Sequence, residues 1–286
     1  MNIFLLLLAI LPGLILSFLI IKADRYEQES KWLMAAAFVL GALITYPTML
    51  MEGLAATLGW EQSGNFFKVF FFALLFVGLI EEFFKFICLA LPYFRKEFNE
   101  PLDGIVYAVL IAMGFATLEN IMYADRFGIP TVALRAFTAV PAHAAFAVIM
   151  GYYVGLSKQD QNNLERWKKI GFGLGLPAFL HGLYDFFIIQ QYAECLMSLA
   201  TLVLVFSAYL AYRMIKILQN SSPFNPDNIV ATKEPEDQNI GDTKEEIVAE
   251  EVAIEEPPVK IPSTEEIPEE YNDVLFSAFD NRAEEE

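Results

Sequence analysis

Long apolar runs broken by short polar ones set the pattern of this chain. Stretches of about 18–25 residues dominated by Leu, Ile, Phe, Ala and Val recur near 3–21, 32–51, 66–91, 103–124, 132–156, 170–190 and 195–217. Each is long enough for a helix to cross a hydrocarbon layer about 30 Å thick. The pattern predicts an all-α polytopic membrane protein with about seven transmembrane helices. A cleaved signal peptide is the competing reading of the first run. No Lys or Arg precedes that run and no small-residue cleavage site precedes Lys22, so we read it as a span. Beyond residue 218 the apolar pattern stops. Residues 219–286 are rich in Glu, Pro, Asp, Asn and Ser and bury too little apolar area to offset their ordering entropy, which predicts a disordered tail. One apolar patch within it, Tyr271-Asn272-Asp273-Val274-Leu275-Phe276-Ser277-Ala278-Phe279, reads either as a docking motif for a cytoplasmic partner or as an incidental run. The expected organisation is a transmembrane domain over 1–218, its motif-bearing core at 66–190, and an acidic tail over 219–286. The spans show no internal repeat, which weakens a transporter built on inverted repeats.

Composition agrees with this pattern, and charge refines it. The 286 residues are 56% hydrophobic, with mean hydropathy +0.42, above the usual soluble range. The formal charge of −17 resides in the tail, where twenty Asp/Glu face four Lys/Arg, so the membrane part is nearly neutral. Nothing in this distribution offers a basic surface to nucleic acid. Lys22, Arg25 and Lys31 occupy the first loop, Arg95 and Lys96 the third, Lys158, Arg166, Lys168 and Lys169 the fifth, and Arg213 and Lys216 the end of the last span. The even-numbered loops carry only Arg126. The positive-inside rule therefore predicts a multi-pass protein of the cell membrane with its N-terminus outside and its tail in the cytoplasm. Cys88 and Cys195 both fall in apolar surroundings, form no metal-binding spacing, and read as small core hydrophobes.

Ionisable groups inside the spans are few: Glu81, Glu82, Lys85, Glu119, Arg135, His143, His181 and Asp185. An unpaired charge at mid-bilayer costs about 3 to more than 10 kcal/mol, so such groups pair, face a wet cavity or do chemistry. Glu81 and Lys85 are four apart, and Glu82 and Lys85 three apart, so Lys85 can neutralise one carboxylate and leave the other to handle a proton. Glu119 has the amide of Asn120 beside it, and Phe115 lies one turn earlier to cover the carboxyl. Pro141 is expected to kink the fifth helix just before His143. The small residues around His143, and Gly151 with Gly155, let another helix approach closely. His181 and Asp185 share a helix face, where the carboxylate can fix the imidazole's tautomer or favour its charged form. At 1.5 Å rise per residue, Glu81, Glu82, His143 and His181 fall within about 5 Å of their span centres, with Glu119 and Asp185 roughly 7–9 Å toward the outside. The spacing predicts four helices around one polar cavity that opens outward.

With these residues assembled, the chain resembles the PrsW family of intramembrane proteases, within the wider group of CAAX-prenyl-type membrane endopeptidases. The resemblance covers about residues 66–190. It runs through Glu81-Glu82-x-x-Lys85, Asn99-Glu100-Pro101-Leu102-Asp103-Gly104-Ile105-Val106-Tyr107, Gly114-Phe115-Ala116-x-x-Glu119-Asn120-Ile121-x-Tyr123, Arg135 with Pro141-x-His143, and His181-x-x-x-Asp185. It implies peptide hydrolysis in or near the bilayer, with a single-span anti-sigma factor as substrate in a stress response. It also implies that Glu81, Glu82, His143 and His181 are catalytic. Lys85, Glu119, Asn120, Arg135 and Asp185 then support them. The CAAX branch has His where this chain has Glu119, so its Glu–His water-activating pair does not transfer directly.

Two mechanisms for such an enzyme stay open at this point. In the glutamic form, Glu81 or Glu82 activates water and His143 or His181 stabilises the carbonyl oxygen, with no cofactor. In the zinc form, the two His and two Glu ligate the metal; the absence of His-Glu-x-x-His ranks it lower. The competing functions are a proton-coupled carrier or channel using the buried Glu/His relay, and a scaffold whose acidic tail recruits partners.

Overall fold

The computed structural model describes residues 2–60 and 65–231. Ten α-helices follow one another: α1 Ile3–Ala23, α2 Lys31–Thr57, α3 Phe66–Phe71, α4 Ile80–Tyr93, α5 Pro101–Phe127, α6 Ile129–Phe137, α7 Ala139–Lys158, α8 Asn163–Ile189, α9 Met197–Ser221 and α10 Pro226–Ala231. A π-helical segment, Phe72–Leu79, joins α3 to α4, and no strand occurs among the described residues. Among the described residues, six stretches are long and apolar enough to cross a membrane. The seventh expected span, near 66–91, is helical from Phe66 to Tyr93. Its π segment divides it and its charges set it apart from the other six. Helix α9 continues past residue 218, and Gln219, Ser222 and Asn225 are buried. The rest of the expected tail, with its patch at 271–279, lies outside the described residues.

Helix α5 is the centre of the bundle. It is apolar on all sides, with every residue from Pro101 to Thr117 buried, as a helix must be when neighbours surround it. Pro101 starts it, where a missing N–H costs nothing. The Asp103 carboxylate folds back to accept from the backbone N–H of Asn99 at 2.7 Å and of Glu100 at 2.9 Å. Gly128 ends it in a positive-φ conformation that a side chain disfavours.

Lipid tails are as apolar as leucine, so helices in a bilayer associate through close backbone packing. On α5, Gly104 meets Gly151 and Gly155 of α7, while Gly114 lies against the backbone of Phe38 on α2. Gly41 of α2 lies against Ile111 in turn. The expected close-packing face of Gly151 and Gly155 is therefore the α5–α7 crossing. The expected kink has moved: the break falls at Thr138, between α6 and α7, and Pro141 sits in the first turn of α7. Proline is tolerated there because the first-turn N–H groups lack helical partners. Cys88 is buried as expected, whereas Cys195 is exposed, because the turn Glu194–Leu196 buries none of its residues.

The basic loops gather at one end. Lys158 donates to the carbonyls of Tyr93 and Arg95. Gln219 donates to Ala23, and Asn99 donates to Glu27. Among these contacts lies a knot of acids: Asp24 and Glu29 from the first loop, and Glu100 and Asp103 at the start of α5, all buried. Tyr107 donates to Glu29. Burial, with Glu100 and Asp103 adding repulsion, pushes the Asp24 carboxyl up from 3.8 to about 7. Burial first, then the neighbouring carboxyls, pushes Glu100 from 4.5 to about 7.

Two expectations follow from this packing. A Cβ on Gly151 would overlap the Gly104 backbone, so Gly151→Val should destabilise the bundle by about 1–3 kcal/mol or more, seen as a lower melting temperature in detergent. The second concerns pH. The folded state holds the Asp24 and Glu100 protons more tightly than the unfolded chain does. That contribution is full below the unfolded pKa values and is lost as pH rises through about 7. Melting temperature should therefore fall between about pH 5 and about pH 8, and Asp24→Asn should flatten the fall.

Candidate functional site

Each of the catalytic residues expected from sequence comes to one place. Glu81, Glu82 and Lys85 stand on the first turns of α4, directly after the π segment. A π turn inserts an extra residue into the helical ladder and rotates everything after it, and such turns cluster at functional sites. A second device acts alongside it. A Cβ on Gly78 would overlap the backbone of Ala178 and Gly182, and one on Gly182 would overlap Leu74. With no side chains between them, the π segment and α8 approach closely, and His181 lies beside Glu82.

Lys85 is the hub. Its Nζ donates to Glu81 Oε2 at 3.0 Å and Glu82 Oε1 at 2.8 Å, and lies 3.1 Å from His143 Nδ1. It is 2% exposed. The Phe115 ring lies under this ammonium at 4.3 Å and beside the His143 ring. An ammonium carries only donors, so His143 Nδ1 accepts and its Nε2 donates to Glu119 Oε2 at 3.1 Å. That assigns His143 the neutral Nε2–H tautomer. Glu119 is itself held by Arg135 Nη2 at 2.6 Å. Arg135 Nε donates to Asn120 at 2.8 Å, and its guanidinium lies over the Tyr123 ring at 3.9 Å. Through Arg135 the short helix α6 is clamped onto α5.

His181 has a carboxylate at each ring nitrogen: Glu82 Oε1 2.8 Å from Nδ1 and Asp185 Oδ2 3.1 Å from Nε2. Where both carboxylates act as acceptors, both nitrogens donate and the ring carries a charge between them. The expected role of Asp185, holding the imidazole, agrees with this geometry. Phe146 stacks on the His181 ring at 5.1 Å, and the two histidine rings meet edge to face at 5.0 Å.

The donors Glu81, Glu82, His143 and His181 each offer an atom, and these atoms all lie within 4.8 Å of one another. By residue type and spacing the set fits a divalent transition metal, for which His and carboxylate ligands are usual. As arranged, Lys85 and the ring protons of His181 already engage several of the same lone pairs.

One carboxyl at this site escaped the sequence reading. Glu52 falls just past the expected end of the second span, but α2 continues to Thr57 and keeps it on the helix. It extends the buried stripe Gly41, Thr45, Thr48, Ala55 at helical spacing, which is the signal that could have found it.

Comparison with known proteins adds an independent line. The family described as PrsW family intramembrane metalloprotease matches residues 29–212. The chain belongs to the PrsW family. Relatives bearing the name Protease PrsW include one from Oceanobacillus iheyensis, 34% identical over 213 residues, covering 74% of this chain and 95% of that protein. Another, from Clostridioides difficile, is 33% identical over 211 residues, covering 72% and 87%. One from Bacillus subtilis is 36% identical over 181 residues, covering 63% and 80%. No solved structure matches. All the site residues of this PrsW-family chain named above, Glu52 included, lie inside the matched segment.

The hub makes a testable demand. Lys85→Met leaves two buried carboxylates without their cation and should cost about 3–5 kcal/mol, measured by unfolding in detergent. Adding Glu82→Gln should recover part of that loss, because the neutral amide needs no counter-charge.

Proposed function

We propose that this chain is an intramembrane endopeptidase that hydrolyses a peptide bond of a membrane protein, with Glu81 as the base that activates water. The observation that carries this reading is the position of Glu81 Oε2. It accepts from Lys85 at 3.0 Å and lies 3.7 Å from His181 Nε2 and 3.9 Å from His143 Nδ1. It thus has one strong partner and two imidazoles beyond direct hydrogen-bond reach. Glu82 is more constrained, since its Oε1 is shared by Lys85 and His181 at 2.8 Å each. In this reading Glu82 orients His181 and Glu81 takes the proton.

The step follows from those positions. Glu81 removes a proton from a water as its oxygen attacks the carbonyl carbon, and the C–O bond forms. The carbonyl oxygen, now negative, is stabilised by the positive charge of the His181 imidazolium, whose ring is held in place between Glu82 and Asp185. Glu81 passes the proton to the nitrogen as the C–N bond breaks, and an amine leaves. His143, its Nδ1 bonded to Lys85 and its Nε2 to Glu119, fixes the hub and takes no part in proton transfer. Where a metal is used, Glu81, Glu82, His143 and His181 would hold it, and it would supply Lewis acidity and a more acidic water.

The substrate class that suits this site is a single-span membrane protein such as an anti-sigma factor, cut near the outer side. The loop charges support an external N-terminus and a cytoplasmic tail, which a tag-accessibility assay at each terminus tests.

Purified protein in proteoliposomes with a fluorogenic single-span polypeptide is the direct test. Glu81→Gln should lower kcat by about 10²–10⁴, and His181→Ala by about 10²–10³. If both variants cleave at the wild-type rate, the proposal fails. Stripping metal from the wild type separates the two mechanisms: retained cleavage leaves the Glu81-activated water as the whole device, and loss restored by zinc places a metal on the four donors.

A further inference from the structure

Four of the five carboxyls gathered here have a basic partner: Glu81 and Glu82 on Lys85, Glu119 on Arg135 and His143, Asp185 on His181. Among the described residues Glu52 has none. Its Oε1 has no exposed surface and accepts no hydrogen bond. The charged groups that act on it most strongly are Glu81, Glu119, Asp185 and His181, all members of the site. A buried acceptor left unmade is costly, so such an atom in a folded protein calls for a partner.

The helix that bears it says where it faces. Thr45 on the same stripe sits against the Phe115 carbonyl at 3.3 Å, and Phe115 in turn touches Lys85 and His143. Glu52 lies two turns farther along α2, toward the side where the charges of Glu119 and Asp185 lie. The residue as a whole is half-buried, and of its two oxygens Oε1 is shut off while Oε2 keeps an accessible side.

The substrate's own chemistry supplies what such an acceptor lacks. A helix entering the site must unwind at the bond to be cut, because helical carbonyls and amides are engaged with each other. Unwinding frees backbone N–H groups where little water is present to satisfy them. An extended segment therefore brings unpaired donors, and the site offers an unpaired acceptor at its edge. Resting on the protease reading above, we propose that Glu52 binds the substrate directly, its accessible Oε2 accepting a backbone N–H of the unwound segment next to the scissile bond. Glu52 thus selects for substrates that unwind and holds the extended strand in place for Glu81.

The test uses the full chain in proteoliposomes and a fluorogenic single-span polypeptide that the wild type cleaves. Glu52→Ala should raise KM about tenfold with kcat within about twofold, the value of one hydrogen bond at an exchange of about 1.4 kcal/mol. Glu52→Gln, which keeps a carbonyl oxygen, should hold KM within about twofold. Removing an unpartnered carboxyl breaks no ion pair, so Glu52→Ala should melt no lower than the wild type. A second arm needs no variant to fold: N-methylation of the probe, one residue at a time around the cut, should raise KM for the wild type at one position. That position should make no difference to Glu52→Ala. An unchanged KM in Glu52→Ala overturns the proposal, as does loss of kcat at constant KM in both variants, or a wild type indifferent to N-methylation at every position. Absence of cleavage by the wild type across such probes would count against the protease reading instead.

Discussion

A single ammonium governs this structure. Lys85 lies deep among helices with two carboxylates and an imidazole within hydrogen-bond range, and without it Glu81 and Glu82 would be adjacent buried charges. Their mutual repulsion in a low dielectric would favour opening the bundle to water. With the ammonium in place, both carboxylates are held at fixed positions and the His143 tautomer is decided. The Phe115 ring beneath Nζ adds the attraction of its π face. Charge balance and side-chain geometry therefore share one group.

The rest of the architecture delivers partners to that hub. The π segment and the Gly78–Gly182 contact bring α8 close enough for His181 to reach Glu82. The Gly104–Gly151–Gly155 crossing holds α7 against α5, and from there His143 reaches both Lys85 and Glu119. Arg135 closes the far side through a short helix that is separate from α7. Small residues at each crossing do what a hydrophobic effect cannot do inside a bilayer, since apolar side chains gain nothing by leaving lipid for protein. The opposite end is organised by another rule. There the basic loops meet a knot of buried acids whose protons are retained toward neutrality, so the stability of that end is coupled to pH while the cluster around Lys85 relies on paired charges.

Histidine roles divide in the same way. Both rings are buried and lie edge to face, yet their surroundings differ. His143 meets a donor, Lys85, on one nitrogen and the Glu119 carboxylate on the other. His181 faces carboxylates on both sides. Two residues of the same type, in contact, thus take different hydrogen-bonding roles from the groups bonded to their nitrogens.

The apolar periodicity alone determined the helical spans, because length and hydrophobicity decide what can cross a bilayer. The intramembrane charges marked the site for a related reason: their burial cost is too large to be incidental. Glu81, Glu82, Lys85, Glu119, His143, His181 and Asp185 were therefore legible along the chain. Tertiary structure alone decided which nitrogen faces which oxygen, that the Phe115 ring lies under Lys85, that the helix breaks at Thr138 instead of at Pro141, and that Glu52 belongs to the site. Each of these depends on the rotation of one helix against another, set by a π turn and by glycine contacts between segments distant in sequence. Spacing within one helix fixes which side chains share a face, but it carries no information about what that face will meet.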